Sequence, residues 1–225
     1  NNMPFDPRTL LAVAASFCLA LILTPLVRAF ARRFGFVAVP KTDRWHKKPT
    51  AMLGGVAIWL AVVITSSTFS LHIVYGKQIL LASTFLFFVG LVDDLLHIKP
   101  YQKLIGQILG AAYVVYYGLT LPWTSSMLVN MALAIFWLIG ITNAINLLDN
   151  MDGLASGIAV IAAGFLALSF VNSGQYTEAL ILLIFAGGLL GFLIYNSNPA
   201  SIFMGDCGSM FVGFFLASSA LINLS

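Results

Sequence analysis

Eight apolar stretches, each close to twenty residues long and parted by short polar segments, leave this chain few ways to fold. They run over 9–31, 53–75, 78–96, 103–121, 126–145, 153–172, 177–196 and 208–224. A hydrocarbon layer about 30 Å thick is crossed by about 20 helical residues. Backbone N–H and C=O groups in lipid must be satisfied within the segment, so such stretches are helices. Composition agrees, because 8% of the 225 residues are charged, where a soluble domain carries about 25%. The expected fold is all-α, a polytopic integral membrane helical bundle of about eight transmembrane helices, with residues 1–225 as one domain. The first stretch is too long for a signal-peptide core and is expected to be retained.

Into this apolar frame the chain sets acids at particular places. Six of its eight carboxylates fall in four short segments at the ends of the stretches: Asp43, the Asp93-Asp94 pair, Asp149 with Asp152, and Asp206. An aspartate at the centre of a membrane helix costs roughly 2.5–3.5 kcal/mol. Paying that repeatedly points to one polar site at a membrane surface, and so to an enzyme or transporter rather than an anchor.

Charge then orients the chain. The loop after the first stretch holds Arg28, Arg32, Arg33, Lys41, Arg44, Lys47 and Lys48 against Asp43 alone. The positive-inside rule places that loop in the cytoplasm. Alternation of eight spans puts 93–103, 143–152 and 196–208 on the same side. Nine of the eleven Lys and Arg residues, and every acidic motif, then gather on one face. An even number of crossings puts both termini outside. The chain stops at Ser225 directly after a stretch, which is the pattern expected of a truncated protein.

The motifs carry distinct expectations. Asp93 and Asp94 end a helical run, and neighbours on a helix point about 100° apart, so the two carboxylates have different jobs. Pro100 suits a helix start with Lys103 in its first turn, where a bound phosphate would compensate the lysine. From Asn143 through Asn146 and Asp149 to Asp152, polar residues recur at every third position and wrap around an arc, and Gly153 breaks the helix. Amides and carboxylates in this setting suit a hard cation; magnesium is usually held by one or two protein oxygens, water and substrate phosphate. Gly205 and Asp206 open the last stretch, where glycines let an anion approach the helix N-terminus, or where Asp206 is an ordinary N-cap.

Other features read as architecture. Gly106/Gly110, Gly153/Gly157 and Gly187/Gly191 fit small-residue helix packing. Trp45 and Trp123 fit an interfacial belt, and Tyr113, Tyr116 and Tyr117 fit helix packing. His46, His72 and His97 flank the membrane singly. Cys18 and Cys207 form neither a disulfide framework nor a zinc spacing.

Four motifs in order resemble those of the polyprenyl-phosphate N-acetylhexosamine-1-phosphate transferases, glycosyltransferase family 4. They are His46 to Thr50 through Gly54-Gly55; Gly90 to Asp94 with Lys103; Asn143 to Gly153; and Phe203 to Ser209. The opening motif is closer to the undecaprenyl-phosphate GlcNAc-1-phosphate transferase branch than to the phospho-MurNAc-pentapeptide translocases. The resemblance implies a bacterial plasma-membrane enzyme, active site on the cytoplasmic face, of ten or eleven spans, whose last spans and final cytoplasmic loop lie beyond this chain.

By the same resemblance, residues 1–225 form a single transmembrane catalytic domain. Asp206 and Asn146 match the positions that hold Mg2+, with Mn2+ an acceptable substitute. Asp93 matches the aspartate nearest the reacting lipid phosphate, with Asp94 beside it. Lys103 and Lys47 match residues that contact phosphates or nucleotide, Phe203 an aromatic that stacks on uracil, and Asp149 and Asp152 the nucleotide-side pair. Thr50 and Gly205 fall within the matched substrate-binding motifs. The implied partners are a UDP-N-acetylhexosamine, a polyprenyl (undecaprenyl) phosphate and the bilayer, with a homodimer allowed and no nucleic acid.

The chemistry so implied joins two anions, a task of positioning and charge neutralisation. The lipid phosphate attacks the sugar-bearing phosphorus of the nucleotide, UMP leaves, and one phosphoanhydride replaces another. Three other readings stand beside it. A secondary transporter would place acids near the midplane between repeated halves, and no repeat is evident. A CDP-alcohol phosphotransferase needs an arginine and later aspartates after Asp152-Gly153, which this sequence lacks. A non-catalytic scaffold remains the third.

Overall fold

The structure, a computed structural model, describes residues 7–38, 50–69 and 75–224. Lys47, His46, Trp45, Asp43 and His72 lie outside the described residues. Among the described residues there are eight helices: α1 (Pro7–Phe34), α2 (Gly55–Thr68), α3 (Gly76–Leu96), α4 (Pro100–Tyr116), α5 (Met127–Leu148), α6 (Leu154–Asn172), α7 (Tyr176–Asn196) and α8 (Gly205–Leu224). Two short strands, β1 (Val37–Ala38) and β2 (Thr50–Ala51), pair antiparallel between α1 and α2. The molecule is an all-α, polytopic membrane protein.

Six helices, α1, α3 and α5 to α8, are long and apolar enough to cross a membrane. The other two differ from the expected spans. The stretch 53–75 yields a helix of 14 residues, about 21 Å long at 1.5 Å per residue, against the roughly 30 Å a span requires. Leu53, at φ +71, turns the chain sharply before that helix begins. The stretch 103–121 begins three residues earlier and ends five residues earlier than expected: Pro100 starts α4, Tyr116 ends it, and Gly118, at φ +103, follows.

α8 is the core of the bundle, buried along nearly its whole length and packed by α2, α3, α5 and α6. Backbones touch where α8 meets its neighbours. A β-carbon on Gly55 would lie 2.2 Å from the Gly208 Cα, and one on Gly90 would lie 2.4 Å from the Asp206 carbonyl oxygen. Small residues allow this approach in a medium with no hydrophobic force between helices. Gly90 thereby seats the C-terminal end of α3 against the first turn of α8.

Two of the three expected glycine pairs pack as anticipated. Gly187 and Gly191 of α7 press on the Val13 and Phe17 carbonyls of α1, beside a buried stripe of Ala12, Ser16, Ala20 and Thr24. Gly106 and Gly110 meet Val89 and Leu86 of α3. The Gly153/Gly157 pair does not: Gly157 faces open space, and Gly153 serves instead as the left-handed start of α6 at φ +69. Of the tyrosines, Tyr113 packs against the core and its ring lies 5.0 Å from that of Tyr117, whereas Tyr116 is 83% exposed and faces outward. Trp123 is exposed as a belt residue should be.

The segment before α8 is tied down on several sides. Ala51 pairs in parallel with Ile202, and the Phe203 N–H donates to the Ala51 carbonyl. The Gly54 and Gly55 N–H groups donate to the carbonyls of Phe203 and Met204 at 2.9 and 2.8 Å. The first and fourth sequence motifs are thus laced together by backbone hydrogen bonds.

Candidate active site

The last turn of α3 presents Asp93 and Asp94, and the helical offset sends them apart as expected. Asp94 reaches the N-terminus of α8, where its Oδ1 accepts the Asp206 N–H and its Oδ2 the Cys207 N–H, both at 2.9 Å. A carboxylate there is favoured by the exposed N–H groups and the positive end of the helix dipole. Asp149, just past the end of α5, accepts the preceding N–H, that of Gly205, at 3.2 Å. Gly205 has φ +78, and a β-carbon on it would lie 2.9 Å from Asp94 Oδ2. Only glycine fits. The groups that these glycines admit to the helix terminus are therefore the carboxyls of the protein's own Asp94 and Asp149. Nor does Asp206 act as the cap: it is the capped residue, and its side chain is left for other work.

That side chain joins a second cluster. Lys103, in the first turn of α4, places its Nζ 2.5 Å from Asp206 Oδ2 and 3.0 Å from Asp93 Oδ2. The same nitrogen lies 3.5 Å from Asn146 Oδ1. Asn146 donates from Nδ2 to Asp206 Oδ1 at 2.6 Å and to Ser209 Oγ at 2.7 Å. With both amide hydrogens so engaged, its carbonyl oxygen turns toward the lysine. One turn further along α4, Gln107 and Asn143 exchange two amide hydrogen bonds, at 3.1 and 2.7 Å, between α4 and α5. Gln107 is fully buried. This pair sets the register of the two helices that carry Lys103 and Asn146.

The other anticipated residues sit around this centre. Asp152 Oδ2 accepts the Ala200 N–H at 3.0 Å and the Asn198 side-chain amide at 3.1 Å, so it grips the turn between α7 and α8. Arg28 of α1 holds the same turn by donating to Ser201 Oγ at 2.9 Å. Thr50 is buried in β2, and Phe203 is half-buried where β2 meets the segment leading to α8. Burial pushes the Asp149 carboxyl well above the usual carboxylate range; the negative charges of Asp206 and Asp94 add to this, and the Gly205 N–H opposes it.

The oxygens of Asp93, Asp206 and Asn146 surround a positive charge, and all are hard donors. Among the described residues no group of three or more His, Cys, Asp or Glu forms a closed metal cage. A partial oxygen set suits Mg2+, which keeps waters and takes substrate phosphates as ligands, and does not suit thiophilic metals. Sequence reasoning missed Gln107 and the part played by Ser209. The signal for Gln107 was present, since it is an amide four residues from Lys103 and hence on the same helix face.

Residues 77–223 match the family model described as glycosyl transferase family 4. The chain is 33% identical over 227 residues to a probable undecaprenyl-phosphate N-acetylglucosaminyl 1-phosphate transferase of Bacillus subtilis (strain 168), covering 96% of this chain and 63% of that protein. It is 34% identical over 242 residues to a phospho-N-acetylmuramoyl-pentapeptide-transferase of Geobacillus sp. (strain WCH70), covering 95% and 74%. A protein of the same name from Lactiplantibacillus plantarum is 34% identical over 241 residues, covering 92% and 73%. The chain thus spans 63% of the length of the first of these relatives and about three quarters of the other two.

Proposed function

Glycosyl transferase family 4 is the family to which this chain belongs, and on that premise we propose that it moves an N-acetylhexosamine-1-phosphate, GlcNAc-1-phosphate in the first place, from a UDP-sugar to a polyprenyl phosphate. UMP is released and a polyprenyl-diphosphate sugar is formed. The observation that carries this reading is the convergence of Asp93, Lys103 and Asp206, from three different helices, on one point at the end of the bundle. A lipid head group and a soluble nucleotide can meet at such a place. The excess of Lys and Arg in the same loops supports its lying on the cytoplasmic face.

Each residue has a task that follows from its position. Lys103 offsets the charge of the two phosphate groups that must approach one another. Asp93, beside it, orients the attacking lipid phosphate or takes its residual proton. That phosphate's second pKa is about 6, so no strong base is required and direct attack is favoured over a covalent aspartyl intermediate. Asp206 and the carbonyl oxygen of Asn146 are the groups that would hold Mg2+, which when bound neutralises diphosphate charge. Ser209 keeps the Asn146 oxygen facing the site. Asp94 and Asp149 are positioning residues that anchor the first turn of α8, from which Asp206 projects. Phe203 and Asp152 would lie on the nucleotide side, with Lys47 and Thr50 supplied by the first motif.

A second donor, UDP-MurNAc-pentapeptide, is favoured by the equal similarity to the pentapeptide transferases. UMP release by detergent-solubilised protein, given undecaprenyl phosphate, Mg2+ and either donor, tests both. Release with UDP-GlcNAc alone is the expected result. Release with UDP-MurNAc-pentapeptide alone would exchange the donor, and release with neither would overturn the transferase reading.

A further inference from the structure

Two cations claim the same oxygens. The Lys103 ammonium lies 2.5 Å from Asp206 Oδ2 and 3.0 Å from Asp93 Oδ2, with Asn146 Oδ1 at 3.5 Å. These include the very groups that would bind a divalent ion. A divalent ion on Asp206 would face an ammonium a few ångströms away, and like charges at that range repel strongly where water is scarce. One of the two has to yield.

We propose that Lys103 is the resident counter-ion of this site, and that it gives up its place to a divalent cation, its ammonium moving onto the phosphates of the substrate. The proposal rests on the cation site at Asp206 and Asn146 assigned above. Geometry decides which group moves. Asp94 and Asp149 are pinned by backbone N–H groups of α8, and Asn146 is pinned by Asp206 and Ser209. Lys103 is attached by a flexible stem, and it stands in the first turn of its helix. Asp206 keeps 32% of its side chain exposed, which leaves an approach for an ion.

The arrangement also answers a cost. Two partly buried carboxylates at a membrane surface need a compensating charge whenever no ion is bound, since an unpaired one is expensive. Lys103 supplies that charge. It thereby lowers the apparent affinity for the ion, because only the fraction of molecules with the ammonium displaced can bind. Entry of the ion then frees a positive charge at the moment when two phosphates must be brought together.

The test is Mn2+ binding followed by electron paramagnetic resonance on the solubilised chain, with Lys103→Met, Lys103→Gln and Asp206→Asn beside the parent. With the competing ammonium removed, Lys103→Met should bind Mn2+ roughly tenfold tighter, and Asp206→Asn should lose the site. Equal or weaker binding by both lysine variants, with binding still dependent on Asp206, would overturn the exchange and leave the cation site standing. Absence of Asp206-dependent binding would overturn both.

Loss of a nearby charge can tighten binding without movement, so a second measurement on the parent chain isolates displacement. Limiting acetic anhydride, read by peptide mass spectrometry, should acetylate Lys103 severalfold faster when Mg2+ is present, with Lys77 as the internal reference. Labelling unaffected by Mg2+ would overturn the proposal whatever the variants do.

Discussion

Lys103 and Asp206 are 103 residues apart in the chain, yet Nζ of one lies 2.5 Å from Oδ2 of the other. The contact joins the first turn of α4 to the first turn of α8, and Asp93 of α3 lies 3.0 Å from the same ammonium. Asn146 of α5 touches both partners of this contact.

Asp206 is the acid through which the site is assembled, since it touches Lys103 and Asn146 at once. Asp206→Ala is expected to lower Mg2+-dependent UMP release by at least ~10²-fold. The variant should still extract as a monodisperse folded protein. Activity equal to that of the parent would remove Asp206 from the cation site.

Asp93 faces the same lysine and, among the described residues, holds no backbone group, so its effect should fall on turnover. In Asp93→Asn, kcat is expected to drop while the KM for the nucleotide sugar stays near its parent value. Steady-state kinetics separate the two. A change confined to KM would place Asp93 on the donor rather than at the reacting phosphate.

Asp94 should behave differently from its neighbour. Its two oxygens satisfy two N–H groups of α8, and leaving buried donors without partners costs about 1–3 kcal/mol. Asp94→Ala is therefore expected to lower thermal stability clearly, whereas Asp93→Ala should do so little. Melting curves of both variants in one detergent decide the matter, and equal losses would refute the division of labour.

For Asp149 the prediction concerns pH. Burial raises its carboxyl above the usual range in the native state, and the unfolded value is about 3.9. Ionisation therefore costs stability, a cost that accumulates as pH rises from the unfolded pKa through the native one. Asp149→Asn should melt with the parent near pH 4 and above it at pH 8. A variant no more stable than the parent at pH 8 would show that Asp149 carries no such penalty.

Much of the site was legible in the primary sequence because helix geometry acts locally. Pro100 starts α4 where its fixed φ suits a first helical position, and Gly153 ends the polar run that begins inside α5. The divergence of Asp93 and Asp94 follows from the 100° step between neighbours. What sequence misjudged was non-local. The stretch 53–75 had the hydropathy of a full span, but Leu53 in a left-handed turn and the ties from Gly54 and Gly55 to the segment before α8 leave a helix of 14 residues. Gln107 gained its meaning only from Asn143 of α5, which stands opposite it.

By itself, then, the sequence determined an all-helical membrane bundle, the positions of most helix ends, and the gathering of its acids at one end of the helices. Hydropathy, proline and glycine act within a few residues, and that is the range over which those properties are set. Only the tertiary structure decided that Asp94 and Asp149 hold the N-terminus of α8 while Asp93 and Asp206 share Lys103. Periodicity gives the angle between two residues on one helix and leaves the rotation of that helix free. That rotation is set by packing, here by Gly90 of α3 seated against the Asp206 backbone of α8.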